Sequence, residues 1–288
     1  MRYRGYGLQI DSELEIIGAQ PISAVSGVRS DIQIAYGLTE IGKGATAHGP
    51  YRRLGDQILL DAADVGQFLC IGGEKIIINP AHGSSPDKCA ELLIATALPA
   101  LLWMRGAFVV HAAAALLLGR GQAIAITGAS GVGKSTVLAQ LARAGAAVVG
   151  DDSITIASDG EGVSASGLPG SYFLANGESA ERRRIDVPLC QQSPRANLGA
   201  LFILERQPVP AAPRFERLQG VAAFEALLRS RHRPRVPHAM GLDIGMFDLC
   251  TFLCRTLPIY LWHRVDGEPI LSADEYAALD YSISEKCA

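Results

Sequence analysis

GASGVGKSTVLAQLARAGAAVVGDD, residues 128–152, places a glycine-rich turn, one helix and two adjacent aspartates in a single run. Gly128, Ala129, Ser130, Gly131, Val132, Gly133, Lys134 and Ser135 match G-x-x-x-x-G-K-[ST] at every position, and Thr136 comes next. The apolar AIAIT before it reads as a strand and TVLAQLARA after it as an amphipathic helix, which is the setting a phosphate-binding loop needs. Glycines let backbone wrap closely around phosphate oxygens and present N–H donors at the positive end of the next helix. Lys134 adds a point charge at the β and γ phosphates, and the Ser135 hydroxyl suits one position on Mg²⁺. Residues 128–136 are therefore expected to hold Mg-ATP, with preference between adenine and guanine left open.

The helix should cover residues 134–144 and stop at Gly145, a left-handed cap residue. AAVVGDDSITI, 146–156, reads as a buried strand with Asp151 and Asp152 at or near its end. Adjacent strand side chains point to opposite faces, so both carboxylates reach one ligand only if the strand ends or twists there. Two carboxylates beside phosphate and metal suit a division of labour, one holding Mg²⁺ and the other taking a proton from an attacking hydroxyl.

Working outward, AFVVHAAAALLLGRGQAIAITGASG (107–131) reads as strand, tight turn and strand, with His111 on the first. A lone histidine in an apolar strand is more often a core residue than a catalytic one. Residues 87–106 read as a helix kinked at Pro99. Before them, 6–10, 31–38, 56–63 and 66–80 have strand patterns, with Gly72 and Gly73 at a hairpin turn, as expected of a small antiparallel domain. The expected division is 1–85, a β-rich domain, and 86–288, the nucleotide-binding domain. Beyond the loop, 200–207 and 258–265 read as strands and 243–257 and 272–284 as helices. The fold class is α/β.

Apolar residues make up 49% and charged residues 19% of the 288, a globular balance, and a net charge of −3 gives no overall attraction to nucleic acid or anionic membranes. Arg2, Tyr3, Arg4 and Gly5 come after Met1 without an apolar run, so no secretory signal is expected and the cytoplasm is the expected compartment. Arg105, Gly106 and His111 divide the hydrophobic stretch Leu92–Leu118 into pieces too short to span a bilayer. The cysteines are scattered, and Cys250 and Cys254, one helical turn apart, read as reduced core thiols rather than a metal pair. Arg182, Arg183 and Arg184 form one basic run beside Glu178 and Glu181; Arg229, Arg231, Arg233 and Arg235 form another before His238. Each run reads either as a solvated surface or as a grip on phosphate or an acidic acceptor. Glu178 is a candidate further Mg²⁺ ligand.

RGAFVVHAAAALLLGRGQAIAITGASGVGKSTVLAQLARAGAAVVGDDSITI, 105–156, resembles the catalytic core of the HPr kinase/phosphorylase family: a histidine, a hairpin, the phosphate loop, one helix and an Asp-Asp pair. His111, Lys134, Ser135, Asp151 and Asp152 occupy the matching positions. That resemblance implies a P-loop core related to phosphoenolpyruvate carboxykinase and transfer of a phosphoryl group to a serine hydroxyl. It assigns Asp151 as general base and Asp152, with His111, as electrostatic or metal-side support, two roles open to exchange. SYFLANGESAERRRIDVP (171–188) stands where the bifunctional enzymes carry a glycine-rich EIRG signature, which argues against phosphorolysis and an HPr partner. The layout, opening YRGYGLQIDSEL, is more similar to HPr-kinase-like proteins found with lasso-peptide biosynthesis, whose implied acceptor is a serine of a ribosomal precursor peptide.

The leading expectation is an ATP- and Mg²⁺-dependent kinase acting on a serine hydroxyl of a peptide or protein. A kinase for free serine or another metabolite, and a non-catalytic nucleotide-regulated binding module, are the alternatives. Oligomeric state stays open, a homo-oligomer included.

Overall fold

A computed structural model describes residues 1–23, 27, 29–158, 162–176, 179–209, 214–265 and 271–282. Alternation of side chains builds the first sheet: in Lys75–Pro80 Ile76 and Ile78 are buried while their neighbours are not, the period of a half-buried strand. Nine strands between Arg2 and Pro80 join in one sheet. Gln57–Ala62, Gly66–Ile71 and Lys75–Pro80 form its antiparallel meander. Gly72 (φ 58°) and Gly73 (φ 72°) are the central residues of the turn that connects the last hairpin, closed by Glu74 N donating to Ile71 O at 3.0 Å, and both take the left-handed backbone that glycine favours. The expectation of an antiparallel sheet is corrected at one strand: Ile32–Tyr36 runs parallel to both Leu8–Ser12 and Lys75–Pro80. Long connections on either side of it carry the chain back in the same sense, which a tight hairpin cannot do.

Residues 86–104 are helical, but the irregularity precedes Pro99. Leu93–Ala97 is a π-helical turn between the α-helices Pro86–Leu92 and Leu98–Met104. Proline has no N–H for the carbonyl four residues back, that of Ala95, and its ring crowds that position; the wider turn relieves the crowding and leaves the Ala95 carbonyl without a helical donor.

The second sheet also has nine strands, with Arg195–Gln207 as its spine. This strand is antiparallel to Val163–Ser166 near its start and parallel to Gln122–Thr127 and Ile259–Val265 further on. Ala112–Leu117 hairpins with Gln122–Thr127, and its small side chains let helix Lys134–Arg143 pack close. The expected single strand 146–156 is two. Ala147–Gly150 pairs with Ala112–Leu117, and Ile154–Ser158 pairs with Phe108–Val110. Asp152, at φ 69°, breaks the extended backbone between them. His111 falls in the facing break, between Phe108–Val110 and Ala112–Leu117, not inside a strand as expected.

Beyond the two sheets lie the antiparallel hairpin of Ser171–Asn176 with Ser179–Asp186, the short turn Leu189–Gln191 and helices Gly220–Ser230, Arg235–Ala239, Asp243–Thr256 and Ala273–Ser282. The two sheets share apolar surface: Ile10, Phe68 and Ile76 belong to the same buried cluster as Leu101, Phe108 and Val149. Tyr6 N donates to Gly167 O at 3.0 Å and Gly170 N to Gly18 O at 2.7 Å, tying the opening strands to the second sheet. Cys70, Cys89, Cys190, Cys250 and Cys254 are free thiols. No helix among the described residues is long and apolar enough to cross a membrane.

Candidate functional site

Strand Gln122–Thr127 delivers the chain into the loop, and helix Lys134–Arg143 leaves it. Gly128 (φ 140°) and Gly133 (φ 109°) adopt backbone that L side chains resist. At Gly128 the crowding is absolute as well, because a Cβ would lie 2.5 Å from the Leu204 carbonyl oxygen. Lys134 is buried and donates through Nζ to Gly128 O and Ala129 O, each at 3.0 Å, so its charge lies inside the turn. Burial pulls its pKa down, against the opposing pull of Asp152 and Asp151. Thr136 sits exposed on the first helical turn.

Ser135 Oγ donates to Asp151 Oδ1 at 2.9 Å, and Phe173 N donates to Asp151 Oδ2 at 3.1 Å, so the first aspartate is held at both oxygens. Burial pushes its pKa up to about 6, with those two hydrogen bonds opposing and the Asp152 charge adding to the rise. Because the strand ends at Gly150 and Asp152 turns left-handed, both carboxylates face one cleft. Asp152 Oδ1 lies 3.5 Å from His111 Nδ1.

His111 Nδ1 is also 2.9 Å from the Asp152 backbone oxygen. A carbonyl only accepts, so Nδ1 carries the ring proton. Desolvation, then the nearby Lys134 charge, holds the His111 pKa below the usual histidine value, while Asp152 opposes. Beside it stands His232, which sequence reasoning missed, its ring centroid 5.4 Å away. Backbone pairing puts it there: His111 N donates to Ser230 O at 2.7 Å and His232 N to Val109 O at 2.8 Å. His232 Nε2 binds the Ala95 oxygen at 3.0 Å, and Arg233 donates to the same oxygen through Nε at 2.9 Å and Nη2 at 2.7 Å. This is the carbonyl that Pro99 leaves without its helical partner. Burial lowers the His232 pKa to about 4.

The cleft holds about 1720 Å³ and is lined by members of both arginine runs, Arg182 of the first and Arg229, Arg231 and Arg233 of the second. Arg206, a second residue that sequence reasoning missed, caps the loop: Nε donates to Val132 O at 2.9 Å and Nη1 to Val265 O at 3.2 Å. Its only sequence signal is its position at the end of FILERQ, the strand beside the loop strand. Arg184 lies elsewhere, paired with Asp186 and Glu15, as does His238, paired with Asp243. Glu178 lies outside the described residues.

Three of the described non-glycine residues have positive φ, Tyr6, Asp152 and Arg233, and all three line this cleft. Unfavourable backbone gathered at one cavity marks it as the functional centre.

No protein-family model matches the chain, and no curated protein does. Among solved structures, the chain is similar to the HPr(Ser) kinase/phosphatase from Coxiella burnetii, with 15% identity over 62% of this chain and 99% of that one and a TM-score of 0.38. A likeness this slight carries no inference about fold or chemistry, and the site's own geometry has to supply it.

Proposed function

We propose that the protein is an ATP-dependent kinase that phosphorylates a serine hydroxyl of a peptide or protein, with residues 86–288 carrying the chemistry and 1–85 packed against them. The observation that carries this reading is the hydrogen bond from Ser135 to Asp151 at the foot of the glycine loop, with Asp152 turned into the same cleft beside His111. A binding module has no evident use for the second carboxylate, whereas transfer to an alcohol needs a proton acceptor.

The donor set fits Mg²⁺ and triphosphate. Ser135 Oγ and the Asp151 carboxylate are hard oxygen ligands on one side of the loop. Gly128 tolerates no Cβ, and Lys134 lies buried beneath the turn. Ser135 and Asp151 would hold the ion, which on binding neutralises phosphate charge as transfer proceeds. Glycine-loop N–H groups orient the triphosphate, and Lys134 supplies a fixed charge at its β and γ groups. Arg206 keeps the loop in shape by tying Val132 to the neighbouring strand end.

Asp152 accepts the acceptor's proton. Asp151 is occupied by two donors, whereas Asp152 has a side chain 34% exposed within the cleft, which favours the exchanged form of the roles implied by the family resemblance. The serine oxygen attacks the γ-phosphorus, the bond from phosphorus to the β,γ-bridging oxygen breaks with ADP leaving, and the hydroxyl proton passes to Asp152. His111 Nδ1–H, bonded to the Asp152 carbonyl, fixes the turn that aims this carboxylate. At about 1720 Å³ the cleft exceeds the roughly 300–1,000 Å³ common for small-molecule sites, which supports a peptide segment beside the nucleotide.

Intact-mass spectrometry of a ribosomal precursor peptide with a serine at or near its terminus, incubated with Mg-ATP and the protein, tests the proposal. A gain of one phosphate mass, absent with Lys134→Ala, is expected. Consumption of ATP with free serine but no change in any peptide would replace it with the metabolite-kinase reading.

A further inference from the structure

We infer that, in the protein without nucleotide, His111, Asp152 and His232 form a binding site for a divalent transition-metal ion of the zinc class, distinct from the Mg²⁺ position at Ser135 and Asp151 and exclusive of Asp152's role as proton acceptor while the ion is bound. One ligand atom from each of the three side chains lies within 4.8 Å of the other two. The residues come from three separate stretches of chain: the break after Phe108–Val110, the turn after Ala147–Gly150, and the segment beyond helix Gly220–Ser230. Backbone bonds on both sides of the histidine pair, His111 N to Ser230 O and His232 N to Val109 O, hold the imidazoles together.

The second observation is how the rings are oriented. Each imidazole engages one nitrogen with a backbone carbonyl, His111 Nδ1 with Asp152 O and His232 Nε2 with Ala95 O. Both carbonyls can only accept, so His111 Nε2 and His232 Nδ1 are left as lone pairs when the rings are neutral. Metal-binding histidines commonly fix one ring nitrogen to a backbone carbonyl and bind the ion through the other. For His232 the anchoring is unusually rigid, because Ala95 O is available through Pro99 and also takes two bonds from Arg233.

Ligand type decides the ion. Two imidazoles and one carboxylate favour Zn²⁺, Co²⁺ and their neighbours over Mg²⁺, which prefers oxygen ligands and retained water. Three protein ligands would leave an open position on a tetrahedral ion, and all three residues line the cleft.

Binding is measured on the whole chain without nucleotide and with Mg²⁺ in large excess to occupy oxygen sites, so the outcome does not depend on whether the protein is a kinase. Co²⁺ is titrated by its visible absorption, and Zn²⁺ is then used to displace it. The expected result is one Co²⁺ per chain, free of thiolate charge-transfer absorption, displaced by Zn²⁺, weakened at least about tenfold by His232→Ala and unaffected by His238→Ala. His232 is buried, so Asp152→Asn serves as a second variant in case His232→Ala does not fold, and it should weaken binding by a similar factor. Absence of binding under excess Mg²⁺, thiolate coordination, or equal affinity in a folded His232→Ala or Asp152→Asn protein would overturn the proposal.

Discussion

The phenolic oxygen of Tyr6 lies 2.8 Å from Ser153 Oγ, and both groups are buried. Tyr6 sits at φ 53° in the turn between the first two strands, and Ser153 comes directly after the left-handed Asp152. Through this bond the N-terminal hairpin supports the turn on which the second carboxylate is mounted.

Tyr6→Phe removes that oxygen and keeps the ring. Ser153 Oγ then loses its buried partner, and a loss of about 1–2 kcal/mol in urea unfolding is expected. A change below roughly 0.3 kcal/mol would mean that the hairpin contributes nothing through this contact.

Asp152→Asn preserves volume and removes the proposed proton acceptor. Phosphoryl transfer should fall by roughly 10² to 10⁴-fold while nucleotide affinity, measured by equilibrium titration, stays within about twofold. Equal turnover in the variant would return the role of base to Asp151.

Asp151 supplies the pH signature. Its folded pKa, about 6, is raised from 3.8, so the native state holds this proton more tightly than the unfolded chain does. This group's contribution to stability is therefore largest at low pH, shrinks as pH rises from about 4 to about 6, and is gone above that. Stability of Asp151→Asn relative to wild type should increase across that window in Mg²⁺-free urea unfolding, whatever the offset from exchanging the carboxylate. A flat difference would show that the carboxylate is not destabilised by burial.

Two loop glycines should respond differently to alanine. A Cβ at Gly131, φ 80°, meets nothing within 4 Å, so only backbone strain of about 1–2 kcal/mol is expected. At Gly128 the same atom strikes the Leu204 oxygen at 2.5 Å, and the spine strand must shift. Gly128→Ala should cost more than twice as much in urea unfolding and weaken nucleotide binding; equal costs would mean that the loop can move away from the spine.

Sequence legibility tracks how local each feature is. The loop, its helix and the aspartate pair lie within 25 residues, 128–152, and each is encoded by rules acting over a few positions: glycine for left-handed turns, 3.6-residue periodicity for the helix, a polar stop for the strand. The hairpin at Gly72 and Gly73 is legible for the same reason. The parallel placement of Ile32–Tyr36 is not, because alternation specifies a buried face and leaves the neighbour and the direction of pairing open.

The α/β class, the phosphate-loop motif and the two adjacent carboxylates come from the sequence alone, since contiguous residues carry them. Tertiary structure alone decided that Asp152 turns back toward His111, that Arg206 caps the loop, and that Tyr6 and His232 arrive from opposite ends of the chain. Those placements depend on strand pairing and buried hydrogen bonds between segments up to 147 residues apart. Pro99 is where the two levels meet: its missing N–H is plain in the sequence, yet only the folded chain brings His232 and Arg233 to the carbonyl it leaves free.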